Sequence, residues 1–317
     1  MPYSIMIVLL LALSGVSMFI GVGNVSIANL LAFDDKAWEM LLVSRWPRTV
    51  AILLTGASIT VCGVIMQLLV RNRFVEPSTT GTTEASMIGL LIVAIWFPEW
   101  PLFGKMSIAA LCALIGLLAF LQLTRNLPRE QPLLIPLVGL IYGGILGAVA
   151  TYFAFQTDLL QYLSIWLTGE FSGVIAGRYE LLWIAGGFTL FSYAIADQLT
   201  IVGLGERASQ SLGLNYRFMV MIGVATVAIT SSLVVVTVGV LPFIGLVVPN
   251  LVSRFMGDNL RESLPLVAGY GAVFTLFSDI LGRTLRYPYE IPAGTIFGVV
   301  GALIFLWLIF GRKRYEG

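Results

Sequence analysis

Apolar residues run along this chain in long blocks, and polar residues are confined to short interruptions between them. A helix that crosses a bilayer needs about 20 predominantly apolar residues, with roughly 17 to 25 tolerated. Blocks of that kind lie near 4–23, 49–70, 85–97, 106–124, 133–155, 181–197, 217–237, 240–255, 264–282 and 293–311. The pattern predicts an all-α polytopic membrane protein with about ten transmembrane helices, forming one domain over 1–317. The third and eighth blocks are short. The eighth contains Pro242, Gly245 and Pro249, so it is expected to be bent or broken. Irregular backbone at membrane depth is tolerated only against protein or a water-filled cavity.

The first block has no Lys or Arg before Lys36. A cleaved leader has a basic start and a shorter apolar stretch, so this block reads as a retained span. Ten spans would put both termini on one side, and Lys and Arg choose the side. With the termini inside, the inner connections hold Arg71, Arg73, Arg125, Arg129, Arg207, Arg217, Arg254, Arg261, Arg312, Lys313 and Arg314. The outer ones hold Lys36, Arg45, Arg48, Lys105, Arg178, Arg283 and Arg286. That bias predicts cytoplasmic termini.

Composition agrees with lipid as the solvent. The chain has 317 residues, 58% of them hydrophobic and 11% charged, where a soluble domain carries about 25% charged residues. Its mean hydropathy is +0.94. The net charge of +1 gives no bulk attraction to nucleic acid. There is no His, which removes the commonest general base and metal ligand. Cys62 and Cys112 sit in apolar runs and read as small buried hydrophobes. No cluster of nucleophiles, acids or ligands suggests an enzyme. The one Gly-Lys pair, Gly104-Lys105, lacks the rest of a phosphate-binding loop. Candidate membrane carboxylates are Glu84, Asp197 and Asp279, all near block ends. Asp279 stands four residues before Arg283, the spacing of a helical ion pair.

Four polar or small-residue features stand out. Residues 203–215, GLGERASQSLGLN, form a short polar helix between greasy blocks, closed by Gly213. Residues 71–90 combine helix-breaking Pro77 and Gly81 with Ser78, Thr79, Thr80, Thr82 and Thr83. These hydroxyls would cap the third span, satisfy freed backbone groups or line a wet constriction. Residues 249–265 read as a charged, solvated loop. Gly139, Gly143 and Gly147, and Gly294 and Gly298, recur every four residues, a spacing that lets helix backbones approach closely. Before the second span, Pro47 should bias Trp46 away from helix, with Arg45 and Arg48 at the outer surface.

The stretches RWPRT (45–49), GASITVCGVIMQ (56–67), NRFVEPSTTGTTEASMIG (72–89), GERASQSLGL (205–214), GVLPFIGLVVPNLVSRFMG (239–257) and EIPAGTIFGVVGALIFLWLI (290–309) resemble the iron-siderophore and vitamin B12 permease family of type II ABC importers. The resemblance runs in order over nearly the whole chain. It implies a permease subunit, not an enzyme, in a bacterial inner membrane. The partners it implies are a second permease chain, two cytoplasmic ATPase subunits that bind ATP, and an external substrate-binding protein. The cargo would be an iron chelate that passes between the two permease chains by alternating access, with no permanently bound cofactor. By position, Gly205, Glu206, Arg207, Ala208, Leu212 and Gly213 would couple to the ATPase. Arg45, Arg48 and Arg283 would meet acidic residues of the binding protein. Residues 78–84 and Gly139, Gly143 and Gly147 would form the inner constriction. Glu84 replaces the family's usual small or amide residue and resembles the branch serving catechol-type siderophores. Two rivals remain: a cobalamin or haem ABC permease, and an ion-coupled secondary carrier that needs no ATPase.

Overall fold

A computed structural model describes residues 2–21, 29, 32–128, 131, 133–257 and 259–311. Arg129, Asp258, Arg312, Lys313 and Arg314 lie outside the described residues. The helices are α1 (Pro2–Phe19), α2 (Asp35–Met40), α3 (Trp46–Val70), α4 (Thr82–Trp96), α5 (Leu102–Thr124), α6 (Leu134–Gln156), α7 (Leu160–Leu167) and α8 (Leu182–Ala194). They continue with α9 (Ala196–Leu204), α10 (Glu206–Ser211), α11 (Tyr216–Val238), α12 (Ile244–Met256), α13 (Leu260–Thr284) and α14 (Ala293–Gly311). No strand occurs among the described residues. A helix stands at each of the ten predicted blocks. Five helical stretches are long and apolar enough to cross a membrane, and α8 with α9 makes a sixth bent by 67°. The apolar helices Tyr3–Phe19, Thr82–Trp96, Ile244–Met256 and Ala293–Leu308 are shorter.

The bundle is built around α3. Most of its residues are buried, and it packs against α13, α12, α11 and α8. Lipid tails are as apolar as leucine, so helices in a bilayer associate through close backbone packing and polar contacts. Both occur here. Gly63 of α3 lies against the Gly245 carbonyl of α12 so closely that a Cβ would overlap it. The Thr60 hydroxyl reaches the Gly56 carbonyl of its own helix at 2.8 Å and the Val267 carbonyl of α13 at 3.2 Å. At the periphery, α6 turns Leu140, Ile141, Ile145 and Tyr152 outward, an apolar face suited to lipid or another membrane chain.

Tyr3 near the start of α1 and Trp307 near the end of α14 lie at the same end of the bundle as the starts of α9 and α13. The Tyr3 hydroxyl donates to the Glu262 carbonyl at 2.6 Å, Arg261 pairs with Asp197 at 2.5 Å, and Arg254 sits 5.1 Å over the Trp307 ring.

Three sequence expectations need correction. The sharp bend lies in the sixth block, at Ile195, and α12 runs unbroken through Pro249. The irregular backbone of the eighth block precedes the helix, where Gly239 and Phe243 have positive φ. The 249–265 stretch is mostly helical, since α12 ends at Met256 and α13 begins at Leu260. Trp46 is helical despite Pro47, because residues Leu41–Arg45 form a π-helical turn that leads straight into α3. Proline strips a helix of one hydrogen bond. The Val43 carbonyl four residues before Pro47 instead accepts from the Ala176 amide at 3.0 Å. Pro249 finds a similar solution: Gln67 approaches the Gly245 carbonyl at 3.5 Å.

Candidate functional site

The short helix α10 (Glu206–Ser211) stands between α9 and α11 at one end of the bundle. Gly205 opens it with φ 112° and rests against the Arg71 guanidinium, where a Cβ would collide. Ser209 is its anchor: fully buried, it donates to the Ile201 carbonyl at 3.1 Å. Its C-terminus closes in a Schellman arrangement. The Leu214 amide bonds to the Ser209 carbonyl at 2.9 Å and the Gly213 amide to the Gln210 carbonyl at 3.0 Å. Gly213 has φ 76°, which a side chain rarely adopts. Glu206, Arg207, Gln210, Ser211 and Leu212 are exposed, and Ala208 is half-buried. One face is therefore held by the bundle and the rest is presented outward.

The connection from α3 to α4 folds back into the protein. Its hydroxyls mostly satisfy local backbone. Thr79 receives the Glu76 amide at 3.0 Å and Thr80 donates to the Pro77 carbonyl at 2.9 Å. Thr80 and Thr82 share a hydrogen bond of 2.9 Å. The N-cap of α4 is Gly81, with no side-chain cap, so the capping expectation for these hydroxyls is not met. Residues 78–84 do meet the glycine stripe of α6. Gly139 abuts the Thr79 carbonyl with no room for a Cβ. A Cβ at Gly143 or Gly147 would touch the Glu84 side chain at 3.5 or 3.8 Å. Glu84 Oε2 is buried without a hydrogen-bond partner. The small residues thus leave space that this carboxyl occupies. Ser78 and Thr83 line a small cleft beside the same connection, together with Ser231.

Glu76, which no sequence motif singled out, holds this region together. Its carboxylate accepts from the Ser78 hydroxyl at 2.7 Å and the Phe243 amide at 2.8 Å. It faces the first amides of α12 and caps that helix from a distant segment. Glu76 lies in the connection between spans, and burial pushes its carboxyl up to about 7 against the pull of these donors. The readable signal is a carboxylate directly before Pro77 and the Ser/Thr run.

The predicted outer-face arginines form a buried network. Asp279 is its centre, 2.7 Å from Arg48 and 2.6 Å from Arg283. Arg48 also pairs with Glu290 at 2.8 Å. Arg283 donates to the Ser17 and Ile20 carbonyls at 3.0 and 2.8 Å, and Arg45 donates to the Ile20 carbonyl at 2.7 Å. The network ties α1, α3 and α13 to the connection before α14. The three arginines are only 6%, 8% and 2% exposed. The expectation that they stand exposed at the outer surface is corrected here. The i, i+4 pairing of Asp279 with Arg283 is present, and the π-helical turn places Arg45 and Arg48 inward beside it.

The sequence profile of the FecCD transport family matches residues 6–311. The chain is 42% identical over 308 residues to the petrobactin import system permease protein YclN of Bacillus subtilis (strain 168), covering 97% of this chain and 98% of that one. It is 38% identical over 309 residues to the ferric-anguibactin transport system permease protein FatD of Vibrio anguillarum, with the same coverage. Its fold is similar to that of an ABC transporter described as metal-chelate type, solved in an inward-facing conformation. The TM-score is 0.80 at 22% identity over 96% of this chain and 97% of that one. With a polar helix held out at one end, a Ser/Thr connection set against a glycine stripe and a match across almost all its length, this chain belongs to the FecCD transport family.

Proposed function

We propose that the protein is the permease subunit of an ABC importer that moves an iron-siderophore complex across the bacterial inner membrane by alternating access. The observation that carries this reading is α10. It is anchored on one face through Ser209, presents Glu206, Arg207 and Leu212 outward, and belongs to a chain with no phosphate-binding loop. A transporter built this way draws on ATP hydrolysis in a separate subunit. The partners are two cytoplasmic ATPase subunits, a second permease chain and an external binding protein. The relatives named for siderophore complexes are 42% and 38% identical, whereas a vitamin B12 permease of Vibrio vulnificus is 29% identical. That ordering favours an iron-siderophore cargo over cobalamin. In this reading α10 transmits ATPase movement to α9 and α11.

Co-purification in mild detergent tests the class: a P-loop subunit should be retained, and its absence would favour an ion-coupled carrier. Gly213→Val tests the coupling helix. Valine at φ 76° strains the closing turn, so uptake and cargo-stimulated ATP hydrolysis should fall severalfold while insertion stays normal. Undiminished uptake would remove the coupling role.

Glu84 and the stripe of Gly139, Gly143 and Gly147, with residues 78–83, supply the inner constriction in this reading. Glu84→Gln keeps the volume and removes the charge. Uptake per folded molecule should change at least severalfold with thermal stability held. A loss of stability with normal uptake would assign Glu84 to the fold and end its association with catechol-type cargo.

A further inference from the structure

Beside α10, a groove of about 690 Å³ opens between the C-terminal ends of α3 and α5 and the start of α11. Its more buried lining is mostly apolar, with Leu69, Leu121 and Val220 beside Thr124, and its exposed lining carries Arg125 and Arg217 with Gln122 and Asn126, next to the half-buried Arg71. Among the described lining residues, Glu206 is the only acid. Arg125 and Arg217 are exposed, and Arg71 is half-buried against Gly205. The helix ends that frame the groove are those of apolar spans, which places its opening at the headgroup level on the side of α10.

We propose that this groove binds an anionic phospholipid of the inner leaflet, with its phosphate among Arg71, Arg125 and Arg217 and its acyl chains along the Leu69, Leu121 and Val220 wall. Guanidinium groups match phosphate oxygens through paired hydrogen bonds, and basic pockets between spans on the cytoplasmic side suit anionic headgroups. The graded lining, mostly apolar where buried and cationic where exposed, follows the polarity of a lipid. An acidic segment of an ATPase subunit would satisfy the arginines and leave the apolar wall unfilled.

The test uses the purified permease–ATPase complex in nanodiscs of phosphatidylcholine with graded phosphatidylglycerol. Bound lipid is counted by native mass spectrometry, and ATPase retention is measured on the same samples. Retained phosphatidylglycerol should fall about fivefold for each arginine changed to glutamine, from a contribution of about 1 kcal/mol per basic residue near the headgroups. ATPase retention should not change for Arg125→Gln, whose position lies at the end of α5. The triple Arg→Lys variant keeps the charge and loses the paired hydrogen bonds, so it should retain more lipid than the triple Arg→Gln variant and less than the unmodified protein. Three outcomes would overturn the proposal. Equal retention of the two lipids in all variants would mean no headgroup site. Loss of the ATPase subunit with lipid unchanged would make the groove its seat. Displacement of the bound lipid by millimolar inorganic phosphate would mark a free-anion site. Arg125→Gln alone changes one exposed side chain at a helix end, so it reads out even if the triple variant folds poorly.

Discussion

Asp279→Asn should lower the stability of the protein by about 3 to 5 kcal/mol, the cost of breaking a buried ion pair from one side. Asp279 is 2% exposed and is the shared counter-charge of Arg48 and Arg283. Asparagine keeps the shape and removes the charge. Arg48 retains Glu290, whereas Arg283 is left, among the described residues, with Ser17 and Ile20 as acceptors. Because those acceptors lie on α1 and just after it, the first helix should loosen from the bundle as well. Thermal melting in detergent measures the loss. The triple change Arg48→Met, Asp279→Leu and Arg283→Met removes all three charges and should recover much of it, since a buried network is often replaceable by apolar packing. An Asp279→Asn protein as stable as the unmodified one would show that the arginines reach water or another acid, and would restore the view that they serve a partner.

Gly63→Val should be the most damaging single change in the membrane core. Even a Cβ at this position lies inside the Gly245 carbonyl, and backbone on both sides cannot swing away as a side-chain tip would. Forced overpacking costs typically about 1 to 3 kcal/mol and sometimes more. Here α3 and α12 must separate, which also disturbs the Glu76 cap on α12 and the Gln67 contact. The result should be poor yield of monodisperse protein on size exclusion and uptake near background. Gly144→Ala is the control. Gly144 is in the middle of α6, and a methyl added there would have nothing within 4 Å, so alanine should be neutral or slightly stabilising. Equal behaviour of the two variants would show that the α3–α12 contact is looser than described.

Much of the architecture was legible because lipid imposes one rule on the backbone: each spanning segment must satisfy its own hydrogen bonds, and does so as a helix. Apolar blocks therefore mark helices, and α10 stood out as a polar island closed by a glycine. The family resemblance assigned residues 78–84 and Gly139, Gly143 and Gly147 to one constriction; in the fold Gly139 lies against the Thr79 carbonyl, and Gly143 and Gly147 face Glu84. Glu76 is readable as a carboxylate directly before Pro77, but what it caps was not legible. Its role depends on the amides of Phe243 and the turn after it, 167 residues away in sequence.

The sequence alone determined the solvent, the helical class and the approximate places of the spans, since these depend on local composition. Only the tertiary structure decided where the bend falls, that Pro47 and Pro249 sit inside continuous helices, and that Arg45, Arg48 and Arg283 turn inward. Each of these depends on a donor, acceptor or counter-charge from a remote segment: Ala176 for Val43, Gln67 for Gly245, Asp279 for Arg48 and Arg283. A pattern read along one dimension shows that a charge or a freed carbonyl needs a partner. Which group supplies it is set by packing in three dimensions, because the energy of an unpaired polar group away from water is what selects the arrangement.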